Sequence, residues 1–162
     1  MKKLLALCLT ALLLCGCAHG TTADRATTFY YPKKNYVYSI SESVVGSEAR
    51  ECADESTEYL LRLYLLGPTD EHLESLYPQG TRLLEAKESG GALTVTLSDT
   101  GNRMTDAAFT LAGACLAQTF WEHFSAVTVR SGDREITLRP DTLVLEDTTA
   151  TLDNDSKKED TP

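Results

Sequence analysis

A tight glycine turn at residues 89–91 constrains the fold of this 162-residue chain more than any other feature. The turn reads Ser-Gly-Gly, and glycine reaches the positive-φ conformations that short hairpin turns require. After the turn, Leu93, Val95 and Leu97 alternate with threonines. This period-two pattern predicts an antiparallel hairpin of residues 82–88 and 92–98, with one buried face and one wetter face.

Two long stretches have the spacing of apolar positions that is typical of a helix, and a short stretch capped by Thr69 is predicted as a further helical turn. The first covers residues 47–66, with Ser47 as its predicted N-cap and Gly67-Pro68 as its stop. A short helical turn is predicted over residues 69–76. The last covers residues 104–121, and its small inner face would let it lie close to a sheet.

Aromatic and β-branched residues predict further strands before and after these helices. A strand pair is expected on either side of the polar turn at residues 32–35, and a second hairpin is expected over residues 127–138. Leu143 and Leu145 predict a short terminal strand. The order of elements predicts an α+β fold in which two helices pack on one face of a mostly antiparallel sheet.

The amino-terminal segment has the features of a secretory signal. Two lysines precede an apolar run over residues 4–14, which is about half of the ~20 residues that cross a bilayer as a helix. The run ends in Leu-Cys-Gly-Cys at residues 14–17, which resembles a bacterial lipobox. The resemblance implies that Cys17 becomes the lipidated first residue of the mature protein. Ordinary secretion with cleavage nearby is the alternative.

Composition and charge then divide the chain and limit its partners. We predict a signal at residues 1–16, a flexible tether at 17–26, a single domain at 27–146 and a disordered acidic tail at 147–162. The formal net charge of −9 becomes −11 without the signal, which holds two lysines and no acid. This acidity argues against nucleic acid and against flat adsorption on anionic lipid. A lipid on Cys17 is therefore the expected membrane attachment.

Few residues are candidates for catalysis or metal binding. Asp-Thr-Gly at residues 99–101 is the aspartic-protease motif, which needs two carboxylates that share a proton, one from each copy of a dimer. A strand-to-helix connection is the simpler interpretation. His72 lies in an acidic turn that we interpret as a solvated face and not as a metal site. Cys52 and Cys115 are expected to be buried free thiols, with a disulfide as the alternative. We expect no enzymatic activity, metal or cofactor.

Tyrosines near the start of the domain are the best candidates for a contact surface, because tyrosine combines a large apolar ring with a polar tip. The residues proposed for this surface are Tyr30, Tyr36 and Tyr38. The simpler alternative is that alternate aromatic residues cover the sheet. An exposed strand edge in the same region would also accept a strand from a partner.

A succession of turns and strand ends between residues 29 and 138 resembles the GerMN domain of sporulation and spore-germination proteins. In that domain a helix ends at Gly-Pro, a Pro-x-Gly-Thr segment enters a hairpin, and a later Val-rich strand leads to a glycine turn. The matching segments here are Leu-Leu-Gly-Pro at 65–68, Pro-Gln-Gly-Thr at 78–81, Leu-Ser at 97–98, Gln-Thr-Phe at 118–120 and Val-Thr-Val-Arg-Ser-Gly at 127–132.

The resemblance implies a non-enzymatic, lipid-anchored envelope protein at the extracytoplasmic face of the cell membrane, in the sporulation or germination system. Its expected role is that of a protein–protein assembly module, with envelope proteins, sporulation-complex proteins or a second copy of itself as partners. Two alternatives remain open. One is a lipoprotein that binds peptidoglycan through exposed tyrosines, and the other is a dimeric aspartic protease acting through Asp99.

Overall fold

The computed structural model describes residues 26–35 and 43–141. Their elements in chain order are β1 (Ala26–Pro32), β2 (Val45–Glu51), α1 (Thr57–Leu65), β3 (Leu83–Ser89), β4 (Ala92–Leu97), a 3-10 turn (Gly101–Arg103), α2 (Asp106–Phe120), β5 (Ala126–Ser131) and β6 (Arg134–Leu138). Several predicted features lie outside the described residues: the signal, Cys17, most of the tether, Tyr36, Tyr38, the strand at Leu143 and Leu145, and the acidic tail.

The strands form two sheets, and the predicted α+β class with mostly antiparallel strands is confirmed. β1 pairs with β2 in a small sheet, and β3, β4, β5 and β6 form a larger sheet in that order. β4 and β5 are parallel, because α2 carries the chain from the end of β4 back to the start of β5. The other neighbouring pairs are antiparallel. The predicted strands are thus divided between two sheets.

Both predicted hairpins of the larger sheet are confirmed. In the first, Ser89 pairs with Ala92 across two glycines whose φ angles are 59° and 76°. Two consecutive positive φ angles are the mark of a type I′ turn, which suits the twist of a hairpin. In the second, Ser131 pairs with Arg134 across a turn that contains Gly132.

The core lies between the larger sheet, α2 and the small sheet. Alternate apolar residues of β4 and β5 are at most 1% exposed: Leu93, Val95, Leu97, Val127 and Val129. On the opposite face, threonines of β4 and β5 are half-exposed, so the predicted two-faced pattern is confirmed. α2 packs closely on the sheet, because a Cβ at Gly113 would lie only 3.1 Å from Cγ2 of Ile136. Its other side contacts β1.

The predicted start of the first helix is wrong. Residues 45–51 pair with β1 in an unbroken register of seven positions, and the helix begins only after Ser56. Asp54 stabilises the turn before the helix, because its carboxylate accepts the Ser56 N–H at 2.9 Å. The residues around Ser47 have helical spacing, but they form a strand because they pair with β1. Local propensity does not indicate such pairing with a distant segment.

The predicted helical turn over residues 69–76 is also wrong, and this segment forms turns instead. One backbone bond lies within the segment, from the Leu73 N–H to the Asp70 C=O at 3.2 Å, and other contacts join the segment to the small sheet. The Glu48 carboxylate accepts the Asp70 N–H at 2.9 Å, and the Pro32 C=O accepts the Glu74 N–H at 2.9 Å. These contacts hold the segment across one end of the small sheet.

Candidate functional site

A groove of about 960 Å³ opens between β1, the start of α1 and the end of α2. Strand residues Ala26, Thr28 and Tyr30 line one side, and Phe120 and Trp121 line another. Its volume is at the upper end of the range for small-molecule sites and also suits a short peptide segment. We call this feature the β1 groove. It contains Tyr30, the one predicted contact tyrosine within the described residues.

The outer edge of β1 forms part of the groove. One hydrogen bond shows which backbone groups of β1 point toward this edge. The Lys33 N–H donates to the Val44 C=O at 2.9 Å. In an antiparallel pair, the backbone N–H and C=O groups of alternate residues point toward the partner strand. The backbone groups of Tyr31 and Phe29 therefore also point toward β2. The backbone groups of residues 26, 28, 30 and 32 therefore point away from β2. Residue 32 is one of these outward positions, so the missing N–H of Pro32 costs no hydrogen bond to β2.

Only some of these outward backbone groups have partners. The Tyr30 N–H donates to the Thr119 hydroxyl of α2 at 3.1 Å, and the Pro32 C=O accepts the Glu74 N–H. Within residues 26–35 and 43–141, the N–H and C=O of Thr28 have no hydrogen-bond partner. A segment of unpaired strand edge therefore lies along the β1 groove.

The groove wall is negatively charged. Glu55, Glu88 and Glu122 line it, and its sixteen lining residues include no lysine or arginine. Glu88 and Glu122 are exposed, and neither makes an ion pair or side-chain hydrogen bond with the described part of the chain. The indole N–H of Trp121 is buried and has no acceptor among the same residues.

β1 also differs in composition from the other three edge strands. β2 (VGSEARE), β3 (LLEAKES) and β6 (REITL) each hold at least two charged residues, whereas β1 (ATTFYYP) holds none. Charged residues on an edge strand hinder pairing with other chains. Of the four edge strands in the described residues, β1 is therefore the one with the least protection against strand addition.

The aromatic residues of β1 alternate between core and groove. Phe29 and Tyr31 are fully buried, whereas Tyr30 is half-exposed. The Tyr31 ring stacks on Tyr64 with centroids 4.6 Å apart, and its hydroxyl donates to the Tyr64 C=O at 2.9 Å. Burial raises the pKa of Tyr31 well above its usual range, although Arg50 opposes this. Phe29 and Tyr31 thus follow the simpler interpretation and cover the sheet.

β2, the other strand of the small sheet, carries a closed ionic network that the sequence analysis missed. The Glu48 carboxylate binds the Arg50 guanidinium and accepts the N–H groups of Thr69 and Asp70 at 3.0 and 2.9 Å. Arg50 also donates to the Gly67 C=O at 2.6 Å. We call this network the Glu48–Arg50 clamp. It ties the segment after α1 to β2.

Electrostatics favour the ionised form of Glu48 in this clamp. Burial alone would raise the pKa of Glu48, but the hydrogen bonds from Arg50, Asp70 and Thr69 outweigh burial and hold it below the ordinary 4.5. Residues i and i+2 of a strand share a face, so the Glu-x-Arg spacing was a usable signal. The three- and four-residue spacing of apolar residues, which favours a helix from Ser47, obscures this signal.

The Asp-Thr-Gly motif forms a hydrogen-bonded corner between β4 and α2. The buried Ser131 hydroxyl accepts the Gly101 N–H at 2.8 Å, and the hydroxyl oxygens of Thr100 and Thr81 are 2.7 Å apart. The Asp99 side chain is exposed. Its carboxylate accepts the Asn102 side-chain N–H at 2.8 Å, so each residue of the motif has a contact within a strand-to-helix connection. The protease hypothesis stays an untested prediction.

The two cysteines of the domain are both free and buried. Burial raises the pKa of the Cys115 thiol to about 12, so this thiol is protonated at neutral pH. Among the described residues, no group of three or more His, Cys, Asp or Glu side chains is placed to hold a metal ion.

Comparison with known proteins identifies the family. Residues 28–128 match the model of the Germane family, which is described as sporulation and spore germination. The matched range begins in β1, contains both helices and ends in β5. No curated protein and no solved structure matches the chain. In the described part of the chain, neither helix is long and apolar enough to span a bilayer. Because the family model covers more than half of the sequence, this protein belongs to the Germane family of sporulation and spore germination.

Proposed function

We propose that this protein is a lipid-anchored, non-enzymatic assembly module that binds other proteins at the outer face of the cytoplasmic membrane. The process it serves is sporulation or spore germination, in line with its family. The observation that supports the binding role most directly is the unpaired edge of β1, which lies in an open groove. Unpaired strand edges are templates for pairing with another chain.

The proposed anchor is a diacylglyceryl group on Cys17. A single acyl chain holds a protein weakly, and stable attachment takes two membrane signals. Two chains on one cysteine meet that requirement. They would also explain how a chain whose formal net charge is −11 without the signal stays at an anionic membrane surface.

The anchor is tested by labelling cells with radioactive palmitate. We expect label on the natural chain and none on Cys17→Ala. Cys15→Ala is the matched control, since it removes a thiol two residues away and should keep the label. Equal labelling of natural chain and Cys17→Ala would contradict the anchor.

The assembly role is tested by crosslinking in the native envelope. A photoreactive amino acid at Tyr30 lies in the β1 groove, whereas one at Thr137 lies on exposed β6 outside it. We expect the Tyr30 position to capture a discrete protein partner and the Thr137 position to capture none. Capture of no protein at Tyr30, or the same products from both positions, would contradict this role.

A further inference from the structure

We propose that the β1 groove binds an extended, positively charged peptide segment of a partner protein, which adds to β1 as a further strand. The inference rests on the proposed assembly role and deepens it, because it names the chemistry of the partner. The backbone of β1, the charge of the groove and the composition of the edge strands support it independently.

The backbone of β1 determines where the peptide lies. The Thr28 N–H and C=O point away from β2 and have no partner within the described residues. A strand placed beside β1 would bond to both groups, as in other complexes formed by strand addition. The Tyr30 N–H is not available to a peptide, because it already donates to the Thr119 hydroxyl. The peptide therefore pairs with β1 before Tyr30.

The charge of the groove determines the chemistry of the peptide. No lysine or arginine lines it, and the exposed carboxylates of Glu88 and Glu122 have no counter-ion in the described chain. Charge complementarity therefore favours lysine or arginine side chains on the bound segment. The same charge disfavours a second copy of this chain, whose formal net charge is −11 without the signal.

The composition of the edge strands explains why β1 is the acceptor. β1 is the one edge strand of the described residues without a charged residue. Trp121, which lines the groove, also has a buried indole N–H without an acceptor among the described residues.

Binding is measured with defined probes on the full chain as isolated from the envelope. The probe is a fluorescent ten-residue peptide of alternating lysine and valine. One comparison peptide has glutamate in place of lysine, and another carries an N-methyl group on every residue, which removes the backbone donors of both strand edges. We expect measurable binding of the first peptide and at least about tenfold weaker binding of the other two.

Variants locate the site. Thr28→Pro removes an outward N–H but no bond to β2, and Pro32 already occupies the same phase of β1. We expect it to weaken binding at least about tenfold. Glu88→Gln combined with Glu122→Gln should weaken binding about fivefold at low salt and less at high salt. Glu71→Gln is the matched control, since this exposed carboxylate lies outside the groove. If Thr28→Pro does not fold, the variant with both Glu88→Gln and Glu122→Gln still tests whether the peptide binds in the groove.

Several outcomes would overturn the inference. One is equal binding of the lysine and glutamate peptides, and another is binding that Thr28→Pro leaves unchanged. Binding only after removal of residues 142–162 would show that the chain's own C-terminal segment, which follows the groove residue Pro140, is the occupant. Self-association that Thr28→Pro abolishes would show a second copy there.

Failure of this inference is distinct from failure of the assembly role. If the crosslinker at Tyr30 captures a partner while no lysine peptide binds, the partner's chemistry is wrong and the assembly role stands. If the crosslinker captures no partner, the assembly role itself is contradicted.

Discussion

The Glu48–Arg50 clamp and the β1 groove use acidic residues in opposite ways. In the clamp, the Glu48 side chain is 9% exposed and accepts hydrogen bonds from a guanidinium and from backbone N–H groups. In the groove, Glu88 and Glu122 are exposed and unpaired within the described chain. The difference teaches that residue type does not decide the role. A carboxylate stabilises the fold where the chain supplies its partner, and it is available for recognition where the chain does not.

The largest expected effect is the loss of the clamp. Glu48→Ala should lower the free energy of unfolding by about 3 kcal/mol, because it leaves the buried Arg50 guanidinium and two backbone N–H groups without their acceptor. Urea denaturation measures this. Glu122→Ala in the groove should change the same quantity by less than about 0.5 kcal/mol. Similar losses of stability in both variants would contradict the different roles assigned to Glu48 and Glu122.

A smaller effect is expected where α2 meets the edge of β1. Thr119→Val removes the hydroxyl that accepts the Tyr30 N–H and should cost about 1 to 2 kcal/mol in unfolding free energy. Thr119→Ser keeps the hydroxyl and should restore most of this. If valine and serine variants are equally stable, the hydrogen bond does not hold β1 against α2.

The clamp also predicts that the free energy of unfolding depends on pH. The pKa of Glu48 is lower in the folded chain than in the unfolded chain. Its stabilising contribution is therefore complete above about pH 4.5 and is lost as the pH falls through the lowered folded value. Stability measured from pH 6 to pH 3 should fall more for the natural chain than for Glu48→Gln. Parallel curves would contradict the favourable interactions assigned to Glu48.

The smallest effect on stability is expected from the groove carboxylates. Glu88→Gln combined with Glu122→Gln should leave the free energy of unfolding within about 0.5 kcal/mol of the natural value, since no described partner is lost. Thermal unfolding measures this. A clear loss of stability would show that these residues support the fold and would weaken their assignment to recognition.

The larger sheet and α2 could be predicted because their signals are local. The glycines at 90 and 91 define a turn, the period-two pattern of β4 defines a buried face, and α2 has helical spacing over fifteen residues. The predicted helix of residues 104–121 contains all of α2. The corner at residues 99–101 was foreseen as a connection, although its dependence on Ser131 was not.

β2 and the groove could not be predicted, because both depend on contacts between distant parts of the chain. After Val45, residues 46–51 contain no β-branched or aromatic residue, and they are a strand because they pair with β1. The groove combines residues near positions 26–30, 55–60, 88, 118–124 and 140. Tyr30 could be identified as a contact residue from the sequence, but no local pattern indicates that these five regions meet.

Hydrogen exchange at single backbone amides tests the central claim, that the outer edge of β1 is unpaired and available to a partner. In the free chain, we expect the Thr28 N–H to exchange rapidly, whereas the N–H groups of Phe29 and Tyr31, which face β2, exchange slowly. Addition of the lysine–valine peptide should slow exchange at Thr28. Exchange at Thr28 as slow as at Tyr31 without any peptide would contradict the claim, because that edge would already be occupied.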